Sequence, residues 1–318
     1  MKFNKIGKIF DPRDHNLSNN CYEYAQSPQA IVFDDFVRIF FSSREKDKLG
    51  KYISHVFYVD FDKAFRNILR VAEKPVIRLG ELGCFDEHGI FPLSPFKEDD
   101  RILAFTTGWN RKVSTSADAA IGLAESRDGG RTFEKFGNGP IVAANLHEPF
   151  LVGDAFVSKY LGVYYMWYIY GLRWITNKTE PQPQRVYKIS QATSVNLVDW
   201  KRDGTLLIPD VLGNDECQAL PTVLESGGLF HMVFCYRHAF GFRNDKTKSY
   251  RIGYAYSSDL TQWHRDDVAL GMDVSQNGWD SEMICYPHIF KCDEKIYLLY
   301  NGNEFGKHGF GLAVLDPK

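Results

Sequence analysis

Glutamates recur along this chain at intervals of 61 to 68 residues: Glu23, Glu87, Glu148, Glu216 and Glu282. Five residues after each comes Pro28, Pro92, Gly153, Pro221 or Pro287, leading into or lying within a strand-like run. Carboxyl groups do acid–base work. Two of them flanking an acetal can cleave it, one protonating the leaving oxygen while the other activates water or attacks the carbon. Five further sets follow aromatic runs: Ser43-Arg44, Trp109-Asn110, Arg173-Trp174, Arg237-His238 and Asn301-Gly302-Asn303. The loops around the glutamates add Asp14, His15, Asp86, His88, His147, Asp215, Trp279 and Asp280. Carboxylates and guanidinium groups bind hydroxyls, and indoles cover the apolar face of a sugar ring. Brought together, this set suits a polyhydroxylated ligand.

These residues meet only if the segments between them keep returning to one place. Each unit holds a second aromatic strand (VRIFFSS, RILAFTT, VYYMWYIY, LFHMVFCY, KIYLLYN) and a third that ends in small or polar residues (YISHVFYVD, AAIGLAES, VYKISQATS, YRIGYAYSS, GFGLAVL). A turn and a fourth strand follow. Short strands at even spacing between Gly, Asp and Asn turns are an all-β signature. Four strands repeated radially predict a β-propeller, here with five four-stranded blades in a single domain spanning 1–318. The fifth unit stops after its third strand, near Leu315, and residues 2–11 have the spacing of the missing fourth. They are predicted to complete blade 5 and so remove an open edge. In this topology the glutamates and the ends of the second strands share one mouth of the central channel.

Composition narrows the function. Lys and Arg number 38 against 40 Asp and Glu, a net charge of −2, which argues against a nucleic-acid partner. Aromatics at 15% favour strands and sugar-stacking surfaces. No apolar leader or span is visible, so a cytoplasmic protein without membrane insertion is expected. The six cysteines form no CxxC pair and are expected to be free thiols, mostly buried.

A structural role competes for each glutamate, which would then hold backbone amides of a neighbouring blade or pair with a loop arginine. Ser126-Arg127-Asp128-Gly129-Gly130-Arg131-Thr132-Phe133 resembles the SxDxGxTW box of sialidases with Phe in place of Trp, and is expected to shape a turn away from the mouth. The turns at 195–200 and 258–263 correspond to it, with Trp200 and Trp263 expected in the core. His288 follows the blade 5 proline and is expected in the core. A channel position facing a metal or water is the alternative, and no other cofactor or metal is implied.

The five-fold pattern, the Asp-Leu-Thr-Gln-Trp turn at 259–263 and the cadence of Asp154-Ala155-Phe156-Val157 with Tyr164-Tyr165-Met166-Trp167-Tyr168 resemble the five-bladed propeller glycosidases. That group includes arabinanases and β-xylosidases, invertases and levansucrases, and the mannoside phosphorylases. The stretch 278–287 with Tyr300-Asn301-Gly302-Asn303 also resembles a branch associated with bacterial surface-polysaccharide genes. The resemblance implies three acids on inner strands: a base or nucleophile in the first blade, a helper Asp, and a Glu acid one blade after the helper. Asp154 matches the helper, with Ala155 where the pattern has Pro. Glu216 lies one blade later but three residues out of position. In the first blade Ser27 stands where the pattern has Asp, and Glu23 is the nearest carboxylate. The expectation is a glycoside hydrolase or transglycosidase with Glu216 as acid, Glu23 as base and Asp154 as orienting partner. Substrate, an oligosaccharide or glycoside, would be bound by Glu87, Glu148, Glu282, Trp109, Arg173, Arg237, His238, Trp279 and Asn301. A non-catalytic carbohydrate-binding propeller and glycosyl transfer from an activated donor are the alternatives.

Overall fold

In the computed structural model, which describes residues 1–178, 180 and 182–316, the aromatic runs become strands of five antiparallel sheets. The first strand, β1 (Phe3–Phe10), is set aside for the last sheet. Blade 1 is β2 (Gln26–Val32), β3 (Phe36–Lys46), β4 (Tyr52–Asp62) and β5 (Ile68–Val71). Blade 2 is β6 (Ile90–Glu98), β7 (Arg101–Arg111), β8 (Ala117–Ser126) and β9 (Glu134–Lys135). Blade 3 is β10 (Val152–Tyr160), β11 (Val163–Ile175) and β12 (Gln184–Ser194). Blade 4 is β13 (Cys217–Ser226), β14 (Leu229–Arg237), β15 (Arg251–Ser257) and β16 (His264–Arg265). Blade 5 is β17 (Cys285–Cys292), β18 (Lys295–Asn301) and β19 (Phe310–Leu315), with β1 as its outer strand. The chain is thus an all-β five-bladed propeller. None of its described helices is long and apolar enough to cross a membrane.

Blade 3 departs from the four-stranded expectation. In place of a fourth strand it has one bridge, Thr193 to Lys201, after which Gly204 turns the chain at φ +73°. The segment beyond stays beside β12 through separate bonds: the Ser190 hydroxyl donates to the Thr205 carbonyl at 2.7 Å and the Leu207 N–H to that of Ile189 at 3.2 Å.

The turns behave as read. The hydroxyls of Ser126, Ser194 and Ser257 accept the N–H of Gly130, Leu197 and Leu260 at 2.8–2.9 Å. Asp128 accepts the N–H groups of Arg131 and Thr132, fixing the turn away from the channel mouth. Trp263 is buried against Trp167, and Trp200 packs edge-on to Phe105. The six cysteines are free, and all but Cys84 are buried.

Closure between first and last strands is the tie that makes the ring. Phe3 pairs with Leu315 and Phe10 with Phe310, and Phe10 packs on Phe41 of blade 1 at 5.0 Å. Burying a Phe of this kind contributes about 1.5–3 kcal/mol. Removing residues 1–10 would strip Phe3 and Phe10 from the core and leave β19 an unpaired edge. Size-exclusion chromatography is expected to show aggregate in place of the wild-type peak. A truncated protein that elutes with the wild type and keeps its circular dichroism spectrum would show that the closure is dispensable.

Candidate functional site

Every inner strand breaks register at its mouth end. The shifts fall between Gln26 and Gln29, Ile90 and Leu93, Gly153 and Phe156, Ala219 and Thr222, and Cys285 and His288. A bulge re-aims side chains that would otherwise follow strand alternation. Four of the five bulges hold a non-glycine residue at positive φ: Ser27 (50°), Asp154 (55°), Leu220 (48°) and Tyr286 (54°). Phe91 takes the place in blade 2. Such a backbone is uncommon for a residue with a side chain. One of the five residues so displayed is an acid.

Phe91, Asp154 and Tyr286 line a cavity of about 450 Å³ at the channel mouth. Its wall draws on the ends of second strands (Arg44, Trp109, Trp174, Arg237), the starts of third strands (Tyr52, Asp118, Arg185, Tyr187, Tyr250) and the loop bearing Phe242 and Arg243. Asp154 is almost wholly buried. Its backbone N–H donates to the Thr107 hydroxyl at 2.7 Å, and its Oδ2 accepts the Leu220 N–H at 3.2 Å. Oδ1 has no hydrogen-bond partner among the described residues. Burial lifts the carboxyl pKa to about 7, with the Leu220 bond and the charge of Arg185 pulling the other way. The group is therefore held near the midpoint of its titration at neutral pH, as a general acid requires.

Two of the carboxylates chosen by their repetition, Glu216 and Glu148, sit elsewhere and do another job, shared with Asp86 and Asp280. Glu216 is fully buried. It accepts the N–H groups of Val211 and Leu212 at 2.9 Å and pairs with Arg265 of β16 at 2.6 Å. Glu148, also fully buried, takes the Tyr168 hydroxyl and the Arg202 guanidinium. Asp86 pairs with Lys135 of β9, and Asp280 with Lys5 of β1 at 2.7 Å. In four blades, then, an acid at the start of the blade grips a cation at its outer edge. These are clips that hold each blade to the segment leading into it. The assignment of Glu216 as acid is corrected on this ground: its oxygens are taken by a guanidinium and two amides, and it does not line the cavity.

Other expected contacts also move. Glu23 is half-buried, outside the cavity wall, so the structure does not bring Glu216, Glu23 and Asp154 together. Glu87 accepts the Gly83 N–H at 3.0 Å, and Glu282 is exposed. Arg173 pairs with Asp215 at 2.7 Å instead of facing the cavity. His238 and Trp279 are absent from the wall, and Trp279 packs on Tyr300 at 5.2 Å. Asn301 is fully buried and structural: its Oδ1 accepts the Ser27 N–H and its Nδ2 donates to the Ala25 and Gly309 carbonyls, all at 2.8 Å. Of the residues expected to act on or bind substrate, Trp109, Arg237 and Asp154 line the cavity, and so do Arg44 and Trp174 from the second-strand ends. His288 is buried between Phe156 and Phe290, and burial lowers its pKa to about 3. Among the described residues no three His, Cys, Asp or Glu side chains converge as metal ligands do.

Sequence reasoning missed Arg185, Tyr187, Arg243, Tyr250 and the bulge residues Phe91 and Tyr286. A signal existed for three of them. A third strand starts on the face where the second ends, so Arg185, Tyr187 and Tyr250 follow from the rule that selected Trp109 and Arg237.

No protein-family model matches the chain. Among solved structures it superposes on a glycoside hydrolase with a TM-score of 0.74, 15% identity, and coverage of 99% of this chain and 92% of that protein. It superposes on a thermostable family-43 glycoside hydrolase with a TM-score of 0.66, 13% identity and coverage of 92% and 90%. For the β-1,2-mannobiose phosphorylase of Listeria innocua the figures are 0.69, 14%, and 98% and 96%. At these identities the likeness is one of fold: the five-bladed propeller of glycoside hydrolases and phosphorylases. By sequence the chain is 33% identical over 318 residues to uncharacterized protein Rv1502 of Mycobacterium tuberculosis (strain ATCC 25618 / H37Rv), covering 99% of this chain and 100% of that protein. Uncharacterized protein MT1551 of strain CDC 1551 / Oshkosh matches to the same extent. With that identity along the whole length, the chain belongs to the family of these mycobacterial proteins.

Proposed function

We propose that this protein is a carbohydrate-active enzyme that cleaves or transfers a glycosyl unit, with Asp154 as the general acid. One observation carries the reading: of five equivalent bulges around the mouth, one displays an acid, and it is buried with a raised pKa in the wall of a sugar-sized cavity. Trp109 and Trp174 supply aromatic faces for a sugar ring. Asp154 would donate its proton to the leaving oxygen as the glycosidic bond breaks. Hydrolysis needs a second group to activate water. Asp118, ion-paired to Lys112 at 2.9 Å, is the other carboxylate in the described wall. Transfer to a nucleophile that is already an oxyanion needs no second carboxylate.

A binding-only propeller is favoured by a different observation, the clips that occupy Asp86, Glu148, Glu216 and Asp280. Incubation with a panel of aryl glycosides and oligosaccharides, with and without phosphate, separates the two. The expected result is product formation with a bell-shaped or falling pH profile above neutrality. Glycan binding with no turnover under any condition would select the binding-only reading.

A further inference from the structure

The cavity carries a charge that its protein as a whole lacks. Four arginines line it, Arg44, Arg185, Arg237 and Arg243, and none has a carboxylate within ion-pair distance among the described residues. Asp118 is already paired with Lys112. Arg237 is the buried one of the four, Arg44 and Arg185 are half-buried and Arg243 is exposed; an arginine is almost never buried unpaired. Here the guanidinium groups rest on aromatic faces instead: Arg237 lies 3.6 Å from the Phe242 ring centroid, Arg243 lies 4.2 Å from the same ring, and Arg44 lies 4.8 Å from Tyr24 and 5.2 Å from Tyr52. Arg237 is 2% exposed. Its Nη atoms donate to the His238 carbonyl and the Tyr187 hydroxyl, while its Nε, like that of Arg44, is buried without a partner. Desolvation and the nearby charges of Arg237 and Arg185 lower the pKa of Arg243, so the cations stand close enough to repel.

A protein of net charge −2 that holds four uncompensated guanidinium groups around one cavity is built for an anion. A planar fork with parallel N–H donors matches tetrahedral phosphoryl oxygens. Ring stacking holds the forks of Arg44, Arg237 and Arg243 in place before the ligand arrives, which reduces the ordering cost of binding. The aromatic wall beside the forks offers a platform for a sugar ring. We infer that the substrate is a sugar bearing a phosphoryl group, held by that group on Arg44, Arg185, Arg237 and Arg243 with its ring over the neighbouring aromatics. This rests on the reading above that the cavity takes a sugar, and it names the class of that sugar.

Titration calorimetry on the intact protein tests it with four probes: hexose 1-phosphates (glucose, galactose and mannose), the same free hexoses, glucuronate, and inorganic phosphate. At least one hexose 1-phosphate is expected to bind tenfold or more tighter than its free hexose and than phosphate alone, and to weaken as salt rises. Arg237 is too buried to replace safely, so Arg185→Gln and Arg243→Gln are the variants. Each is expected to weaken the sugar phosphate at least tenfold at unchanged melting temperature. A free hexose binding as tightly as its phosphate, glucuronate binding tighter, phosphate alone matching the sugar phosphate, or full affinity in both variants would overturn the inference. Asp154→Asn separates this from the catalytic reading, since it is expected to keep the affinity. Retained turnover in that variant with normal sugar-phosphate binding would sink the role of Asp154 alone.

Discussion

Asp154→Asn is expected to lower turnover by about 10²–10⁴-fold, the range associated with removing a general acid. The amide is isosteric, and its oxygen can still accept the Leu220 N–H, so the bulge should keep its shape. The same substitution makes a second, independent prediction about stability. The carboxyl titrates at about 7 when folded and near 3.8 when exposed. It binds its proton more tightly in the folded chain, so folding is not opposed by this group at low pH. The penalty grows as pH rises from about 4 to about 7 and is constant above. Its full size is roughly 4 kcal/mol at 1.36 kcal/mol per unit. The Asn variant escapes it. Urea unfolding should therefore find the variant more stable than wild type at pH 8, with the gap closing by pH 4. In wild type, the activity that depends on the protonated acid should fall as pH rises through 7. Full turnover in the Asn variant, or equal stability of the two proteins at pH 8, would remove Asp154 from the mechanism.

Glu216 is expected to behave in the opposite way. Glu216→Ala leaves Arg265, itself 3% exposed, with Asp267 as its one carboxylate partner among the described residues beside the Pro209 carbonyl, and deprives two amides of their acceptor. Breaking a buried pair from one side costs about 3–5 kcal/mol. A double variant, Glu216→Leu with Arg265→Met, should recover much of the loss, because neither charge then remains buried alone. Denaturant midpoints of the single and double variants measure this directly. Any folded fraction of the single variant should turn over at the normal rate per folded molecule. Glu216→Ala with wild-type stability and no turnover would restore Glu216 as the acid.

These two residues show where sequence reading works on a repeat and where it misleads. The period, the strand types, the Ser-x-Asp turns and the outer-strand role of Phe3–Phe10 are shared by the units, and periodicity exposes them. Repetition also drew attention to the glutamates, and for the same reason it pointed to assembly. Two of them, Glu148 and Glu216, anchor the segment leading into the blade, and in blades 2 and 5 the neighbouring Asp86 and Asp280 do the same. The candidate site is written in the departures from the repeat: an Asp at a bulge where other blades have Ser, Phe, Leu and Tyr, and arginines whose places differ from blade to blade. No period reveals those. Nor could the partner of Glu216 be read in advance, because Arg265 lies 49 positions further along and only the path of blade 4 brings the two together.

The pairing of β1 with β19 also sets the order of events at the ribosome. Phe3–Phe10 must wait for its place, since its partner Phe310–Leu315 is made about three hundred residues later. At roughly 5–20 residues per second that wait lasts on the order of tens of seconds. Throughout it, blades 1 to 4 can form while the ring stays open and the hydrophobic side of the first strand has no home. The nascent chain therefore presents an apolar strand that holding chaperones can bind until its partner strand emerges.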